Sequence, residues 1–164
     1  MSEIVAAKQA LRQEILSKRK LKSAVSFTEN LLKLVQELKP ERVAIFVSFG
    51  TEPNTEEFIK SCSSPILIPV THADHLTWEE MPNGNETQLA SGDLLLIPAI
   101  AVDREGNRLG RGKGYFDKVL AALPDEVKVY AVAYESEFIE SLPTQSHDAK
   151  VDGLITEVAI RNLN

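Results

Sequence analysis

The stretch Asp93-Leu94-Leu95-Leu96-Ile97-Pro98-Ala99-Ile100-Ala101-Val102 runs directly into Asp103-Arg104-Glu105-Gly106-Asn107-Arg108-Leu109-Gly110-Arg111-Gly112-Lys113-Gly114-Tyr115-Phe116-Asp117. Its first part is almost wholly apolar, too short for a membrane span, and reads as one buried strand over 93–102. A loop over 103–113 follows, then a helix to about residue 122. Strand, loop and helix in that order form half of a parallel βαβ unit. The loop falls where open α/β sheets bind their ligands.

The same alternation extends in both directions. Residues 3–20 read as an amphipathic helix capped by Ser2, with Ile4, Leu11, Ile15 and Leu16 near helical spacing. Ser26-Phe27-Thr28-Glu29 has the form of a capping box for a second helix to about residue 38, which Pro40 ends. Arg42–Ser48 is a β-branched and aromatic strand. A polar turn follows it, and Thr55 is placed to cap a short helix carrying Phe58 and Ile59. Pro65–Val70 and His75–Glu80 read as strands and 81–92 as a loop. Val127–Tyr134 is a further strand, and Gly153–Thr156 the last. The expected fold is α/β, a single domain over residues 1–164, with a mostly parallel or mixed sheet and helices on both faces.

Composition narrows the partners. Net charge is −6 and the isoelectric point about 5.1, so the molecule as a whole repels nucleic acid and anionic membranes. Any anion must meet a local basic cluster. With one cysteine, Cys62, no internal disulfide forms. Met1-Ser2-Glu3-Ile4 lacks a signal-peptide pattern, so a cytoplasmic protein is expected; a monomer is expected as well.

The loop supplies that basic cluster. Gly110, Gly112 and Gly114 let the backbone take positive φ and approach a ligand closely, with Arg111 and Lys113 between them and Arg108 before. The following helix adds unpaired N–H groups. Asp117, one turn in, suits Mg²⁺ beside phosphates. Tyr115 can stack on a flat heterocycle or hydrogen-bond to it. The loop is not a Walker A motif, because Lys113 precedes Gly114, nor a dinucleotide fingerprint, whose third glycine would fall at Tyr115. Anion binding is favoured over a merely solvated loop.

The run Leu109-Gly110-Arg111-Gly112-Lys113-Gly114-Tyr115-Phe116-Asp117, with Pro98, Val102–Gly106 and Arg108 before it, resembles the signature of the 5-formyltetrahydrofolate cyclo-ligases. That family usually has tyrosine where Phe116 stands. Lys8-Gln9-Ala10-Leu11-Arg12 with Arg19 is similar to its N-terminal helix, which reaches ATP phosphates; read alone, these cations are a solvated face. Ser48–Thr55 is similar to its folate-contacting turn, although Asn54 replaces a common acid; read alone, it is a turn. Residues 142–152 are similar to its His-Asp-x-x-Val-Asp segment.

The resemblance implies ATP contacts through Lys8, Arg12, Arg108, Leu109, Gly110, Arg111, Gly112, Lys113, Gly114, Tyr115 and Phe116. It implies folate contacts through Phe49, Glu52, Asn54 and residues 111–115. Mg²⁺ would lie on Asp117 and Asp148, with Asp152 a further candidate, and Lys113, Arg111 and Tyr115 would serve catalysis. The implied reaction is ATP-dependent closure of 5-formyltetrahydrofolate to 5,10-methenyltetrahydrofolate. Trp78 either walls the pterin site or fills the core, and core is favoured. Two rival classes remain, a small-molecule kinase and a nucleotide-sensing or RNA-binding module without catalysis. The acidic charge and the lack of paired RNA-stacking aromatics weigh against the module.

Overall fold

The computed structural model describes residues 2–19 and 25–163. In chain order the elements are α1 (Glu3–Arg19), α2 (Thr28–Leu38), β1 (Val43–Ile45), α3 (Glu56–Ser61), β2 (Ile66–Thr71), β3 (Leu76–Glu80), β4 (Asn85–Thr87), β5 (Leu94–Pro98), β6 (Ala101–Asp103), β7 (Arg108–Leu109), α4 (Tyr115–Ala121), β8 (Lys128–Val132), β9 (Phe138–Ile139), β10 (Gly153–Ile155) and β11 (Ile160–Asn162).

Eight strands form one mixed sheet in the order β11-β10-β8-β5-β1-β2-β3-β4. The five central strands, β10 to β2 in that order, pair in parallel, while the outer pairs at both ends are antiparallel. The parallel centre is buried on both faces, which is why its strands read as continuous apolar runs. Val43, Ile45, Leu94, Leu96, Tyr130 and Val132 pack on one face with Phe27, Leu31 and Leu34 of the α2 region and Phe58 of α3. Their neighbours Ala44, Leu95, Ile97, Val129 and Ala131 pack on the other with Leu120 of α4. Side chains thus alternate between two cores at the two-residue period of a strand. Trp78 belongs to the second core, so the packing reading of that residue holds.

Connections from β1 lead to β2 on one side, whereas β5 leads to β8 and β10 on the other. The switch in direction therefore lies between β1 and β5. The crevice at the carboxyl ends of those two strands is where this architecture places a ligand.

Several local expectations need correction. The run 93–102 is two strands, since the chain leaves the main sheet after Pro98 and β6 joins a second sheet ordered β7-β6-β9. The 81–92 loop contains β4, and β11 follows what was read as the last strand. Thr55 does not cap α3. Its hydroxyl donates to the Phe46 carbonyl at 2.9 Å, and Asn54 Oδ1 accepts the Glu56 N–H instead. No capping box forms at α2, where Ser26 Oγ accepts from the Thr28 N–H at 3.3 Å.

The inward face of α1 is apolar as expected at Leu11, Ile15 and Leu16, and it carries basic side chains as well. Lys8, Arg12, Ile15 and Arg19 share one helical face, and of these only Ile15 and Arg19 are buried. Ile15 packs against Ile100, Leu109 and Leu142, and Ile4 is exposed. Residue 20, expected within this helix, lies outside the described residues. No helix among the described residues is long and apolar enough to cross a membrane.

Candidate active site

The glycine loop emerges between β7 and α4, and α1 lies over it. Arg12 Nε donates to the Gly110 carbonyl at 2.6 Å, and its guanidinium covers Gly112. Gly112 and Gly114 have φ of +93° and +80°, conformations that side chains rarely adopt. At Gly110 the constraint is different: a Cβ there would stand 2.8 Å from an Arg108 nitrogen, so that guanidinium would have to shift. Arg108 is nearly buried, donates to the Pro98 carbonyl at 2.8 Å, and reaches Asp117 Oδ1 at 3.3 Å. Burial lowers its pKa, and the charge of Asp117 works against that fall.

Two cavities meet at the loop. The smaller, about 120 Å³, is walled by Pro98, Ala99, Ile100, Tyr115 and Phe116, with Glu52, Asp117, Arg19, Arg108, Arg111 and Lys113 as its charged groups. It lies at the β1–β5 switch point, with Glu52 supplied from beyond β1 and Pro98 from β5. The larger, about 500 Å³, is lined by Lys8, Arg12, Arg111, Asp117, Gln145, His147 and Asp148 among others. Arg111, Gly112 and Asp117 border both.

Glu52 is held by the Phe49 N–H at 2.7 Å and lies 3.7 Å from Arg111 Nε. Burial raises its carboxyl pKa, against the pull of that N–H and of Arg111. Tyr115 has its hydroxyl engaged with the His72 carbonyl at 3.0 Å, which leaves its ring to wall the small cavity.

Asp148 accepts from Lys8 Nζ at 2.6 Å and from the Gln145 N–H at 2.9 Å. Burial pulls its pKa upward, but the Lys8 bond, the Gln145 N–H and the Lys8 charge outweigh it and hold the carboxyl below its usual range. Because the folded value is the lower one, this group's contribution to stability is present above the ordinary carboxylate range. It is lost as pH falls through the depressed value. Lys8→Met should therefore raise the Asp148 midpoint in an NMR pH titration of the carboxyl carbon. An unchanged midpoint would show that Lys8 does not set it.

Of the residues singled out from sequence, the fold gathers Lys8, Arg12, Arg108, Gly110, Arg111, Gly112, Lys113, Gly114, Tyr115, Phe116, Asp117, Asp148 and Glu52 around the two cavities. Leu109 instead points into the core beside Ile15. Asn54 faces a separate groove beside α3, and Phe49 is 77% exposed outside both cavities. Asp152 Oδ2 accepts the Val129 N–H at 2.8 Å, a bond within the sheet. Arg19 sits beside the small cavity, not among the cations of the large one. Sequence reasoning missed Pro98, Ala99 and Ile100 as cavity walls, because they lay inside what looked like an unbroken strand. It also missed Gln145, which carries no charge signal.

Among the described residues no group of three or more His, Cys, Asp or Glu is placed to hold a metal. Asp117 and Asp148 bordering one cation-lined cavity nonetheless fit Mg²⁺, which usually takes one or two carboxylates and completes its shell with phosphate oxygens and water.

Comparison with known proteins agrees with the geometry. The sequence profile of the 5-formyltetrahydrofolate cyclo-ligase family matches residues 77–157. A 5-formyltetrahydrofolate cyclo-ligase of Mycolicibacterium smegmatis is 37% identical over 141 residues, spanning 70% of this chain and 72% of its own. The chain belongs to the 5-formyltetrahydrofolate cyclo-ligase family. The mouse cyclo-ligase is 28% identical over 190 residues, covering 92% of this chain and 94% of its own. A solved 5,10-methenyltetrahydrofolate synthetase of Aquifex aeolicus superposes with a TM-score of 0.77 at 24% identity, over 96% of this chain and 93% of that one. One from Mycoplasma pneumoniae gives 0.77 at 23% identity, over 92% and 98%. At those identities the structures bear on the fold alone, and they share the mixed α/β architecture. Membership of the cyclo-ligase family makes this chain an enzyme.

Proposed function

We propose that the protein converts 5-formyltetrahydrofolate to 5,10-methenyltetrahydrofolate, consuming ATP and releasing ADP and phosphate, with Mg²⁺ bound at Asp117 and Asp148. The observation that carries this reading is the pair of adjoining cavities sharing Arg111, Gly112 and Asp117. One suits a flat ring and the other a polyphosphate, so a phosphoryl donor and its acceptor meet at the glycine loop.

A formyl amide oxygen leaves poorly, so ring closure needs that oxygen activated. The γ-phosphoryl group moves to the formyl oxygen as the bond to ADP breaks. N10 then attacks the activated carbon and gives up its proton, and the C–O bond breaks to release phosphate. Phosphoryl transfer demands positioning and charge neutralisation more than covalent help. Lys8 and Arg12 hold the polyphosphate, while Arg111 at the junction and Lys113 in the small cavity offset charge on the moving group. When bound, Mg²⁺ neutralises phosphate oxygens. Glu52, whose pKa burial raises, meets the N–H edge of the pterin, and the rings of Tyr115 and Phe116 enclose it.

The test is the near-UV absorbance of the methenyl product in the purified protein. Product should form with Mg·ATP, and fail to form without ATP or after chelation of the metal. Tight Mg·ATP binding without cyclisation would sink the assignment. A stable phosphorylated product would favour a small-molecule kinase.

A further inference from the structure

Tyr134 follows β8 and is nearly buried. Its ring meets Phe27 edge-on at 5.4 Å and lies under the Arg19 guanidinium, also at 5.4 Å. Its N–H donates to Glu137 Oε1 at 3.0 Å, and Arg19 grips the same carboxylate through two bonds of 2.8 Å. Arg19 is 3% exposed and also donates to the Ala99 carbonyl at 2.7 Å. Ring, backbone and guanidinium are therefore fixed against the core. From this fixed base the Tyr134 hydroxyl donates to the Thr51 carbonyl at 3.1 Å.

Thr51 sits in the turn that carries Glu52 to the small cavity. Gly50 enters the turn with φ of +60°, and the exposed Phe49 contributes no packing to hold it. The Phe49 N–H to Glu52 bond, and the Glu52 N–H to Phe49 carbonyl bond at 3.1 Å, fix the turn's shape. They do not fix its place. Among the described residues, the Tyr134 hydroxyl and the Arg111 ion pair tie residues 49–52 to other elements, and the charge of the buried Arg19 also acts on the Glu52 carboxylate. Arg111 belongs to the exposed glycine loop, so it offers a less rigid reference. Phenylalanine would fill the same core space as Tyr134, but a buried tyrosine hydroxyl needs a partner, and here the partner is the turn.

We propose that the Tyr134 hydroxyl is a positioning group that sets the Phe49–Glu52 turn, and with it the Glu52 carboxylate, against the small cavity. The effect on substrate rests on reading that cavity as the folate-ring site; the effect on the turn does not. The brace starts from α1, the helix that also brings Lys8 and Arg12 to the larger cavity, yet its output is confined to the folate side.

Tyr134→Phe removes the tie while keeping the ring. Tyr130→Phe is the control: it deletes another partly buried hydroxyl, which donates to Asn162 Oδ1, away from both cavities. In Tyr134→Phe, amide exchange at residues 49–52 should quicken by roughly 2- to 10-fold, the range for one intramolecular hydrogen bond. KM for 5-formyltetrahydrofolate should rise by a similar factor, with KM for ATP within about 2-fold of wild type. Exchange at 49–52 no faster than in Tyr130→Phe would overturn the proposal. So would a KM for ATP rising in step with that for the folate. If wild-type protein does not turn over the folate, the assigned reaction fails separately, and the exchange measurement alone decides the role of Tyr134.

Discussion

Lys113→Ala is expected to lower turnover of 5-formyltetrahydrofolate by roughly 100- to 1,000-fold, the usual loss when one preorganised group facing developing charge is deleted. Lys113 stands between Gly112 and Gly114, both in the left-handed region, so its backbone direction is set by residues that side chains would strain. It lines the small cavity beside Arg111, which borders the phosphate cavity as well. The side chain is exposed and contributes to neither core, so the variant should melt with the wild type. Steady-state kinetics beside a thermal melt checks both halves. Turnover within a few-fold of wild type would remove Lys113 from the chemistry. A lowered melting temperature would instead mean that the loop had been disturbed.

Gly153→Ala should produce the largest loss of stability from a single methyl group. An ideal Cβ at this position would stand 2.2 Å from Tyr130 Cε2, 2.6 Å from Tyr130 Cδ2 and 2.6 Å from the Arg161 carbonyl oxygen. None of these can retreat cheaply. Tyr130 is packed in the first core, and Gly153 lies in β10, hydrogen-bonded between β8 and β11. Overpacking of this kind costs about 3 kcal/mol or more. For a chain of this length that lowers the melting temperature by roughly 6 to 12 °C. Calorimetry of the two proteins decides it. A change within 2 °C would mean that β11 can shift away from β10 at little cost.

The parts of the fold that local chemistry governs were legible in the sequence. Strands buried on both faces must be apolar at every position, so β5 and β8 announced themselves, and the glycine loop declared a close backbone approach. What escaped depended on partners far away in the chain. Nothing local distinguishes Ala99-Ile100 from the strand before it; the break arises because β6 pairs with β7 and β9. Ile160-Arg161-Asn162 is too short and polar to signal a strand until β10 lies beside it. Thr55 before two glutamates has the pattern of a cap, but its hydroxyl is captured by the Phe46 carbonyl nine residues back. The site divides in the same way. Residues 108–117 were readable together, whereas the Arg19–Glu137 pair and the Tyr134–Thr51 bond join positions 118 and 83 residues apart. The basic stripe of α1 was visible as Lys8, Arg12 and Arg19, but charge on a helix ordinarily faces water. Only the loop that it covers gives it an inward meaning.

The eight-stranded sheet ends in β4 and β11, each three residues long and each carrying a charge, Glu86 in one and Arg161 in the other. An open edge is a template on which a strand of another molecule can add, and short, charged edges are poor templates. The most adhesive sequence in the chain, Leu94-Leu95-Leu96-Ile97, is the fourth strand from one end and the fifth from the other, between β1 and β8. Once folded, the enzyme thus keeps the segment best suited to cross-β growth away from neighbours, and the main sheet ends on short, charged strands. Strand order and two charged edge residues together work against edge-to-edge growth in concentrated solution.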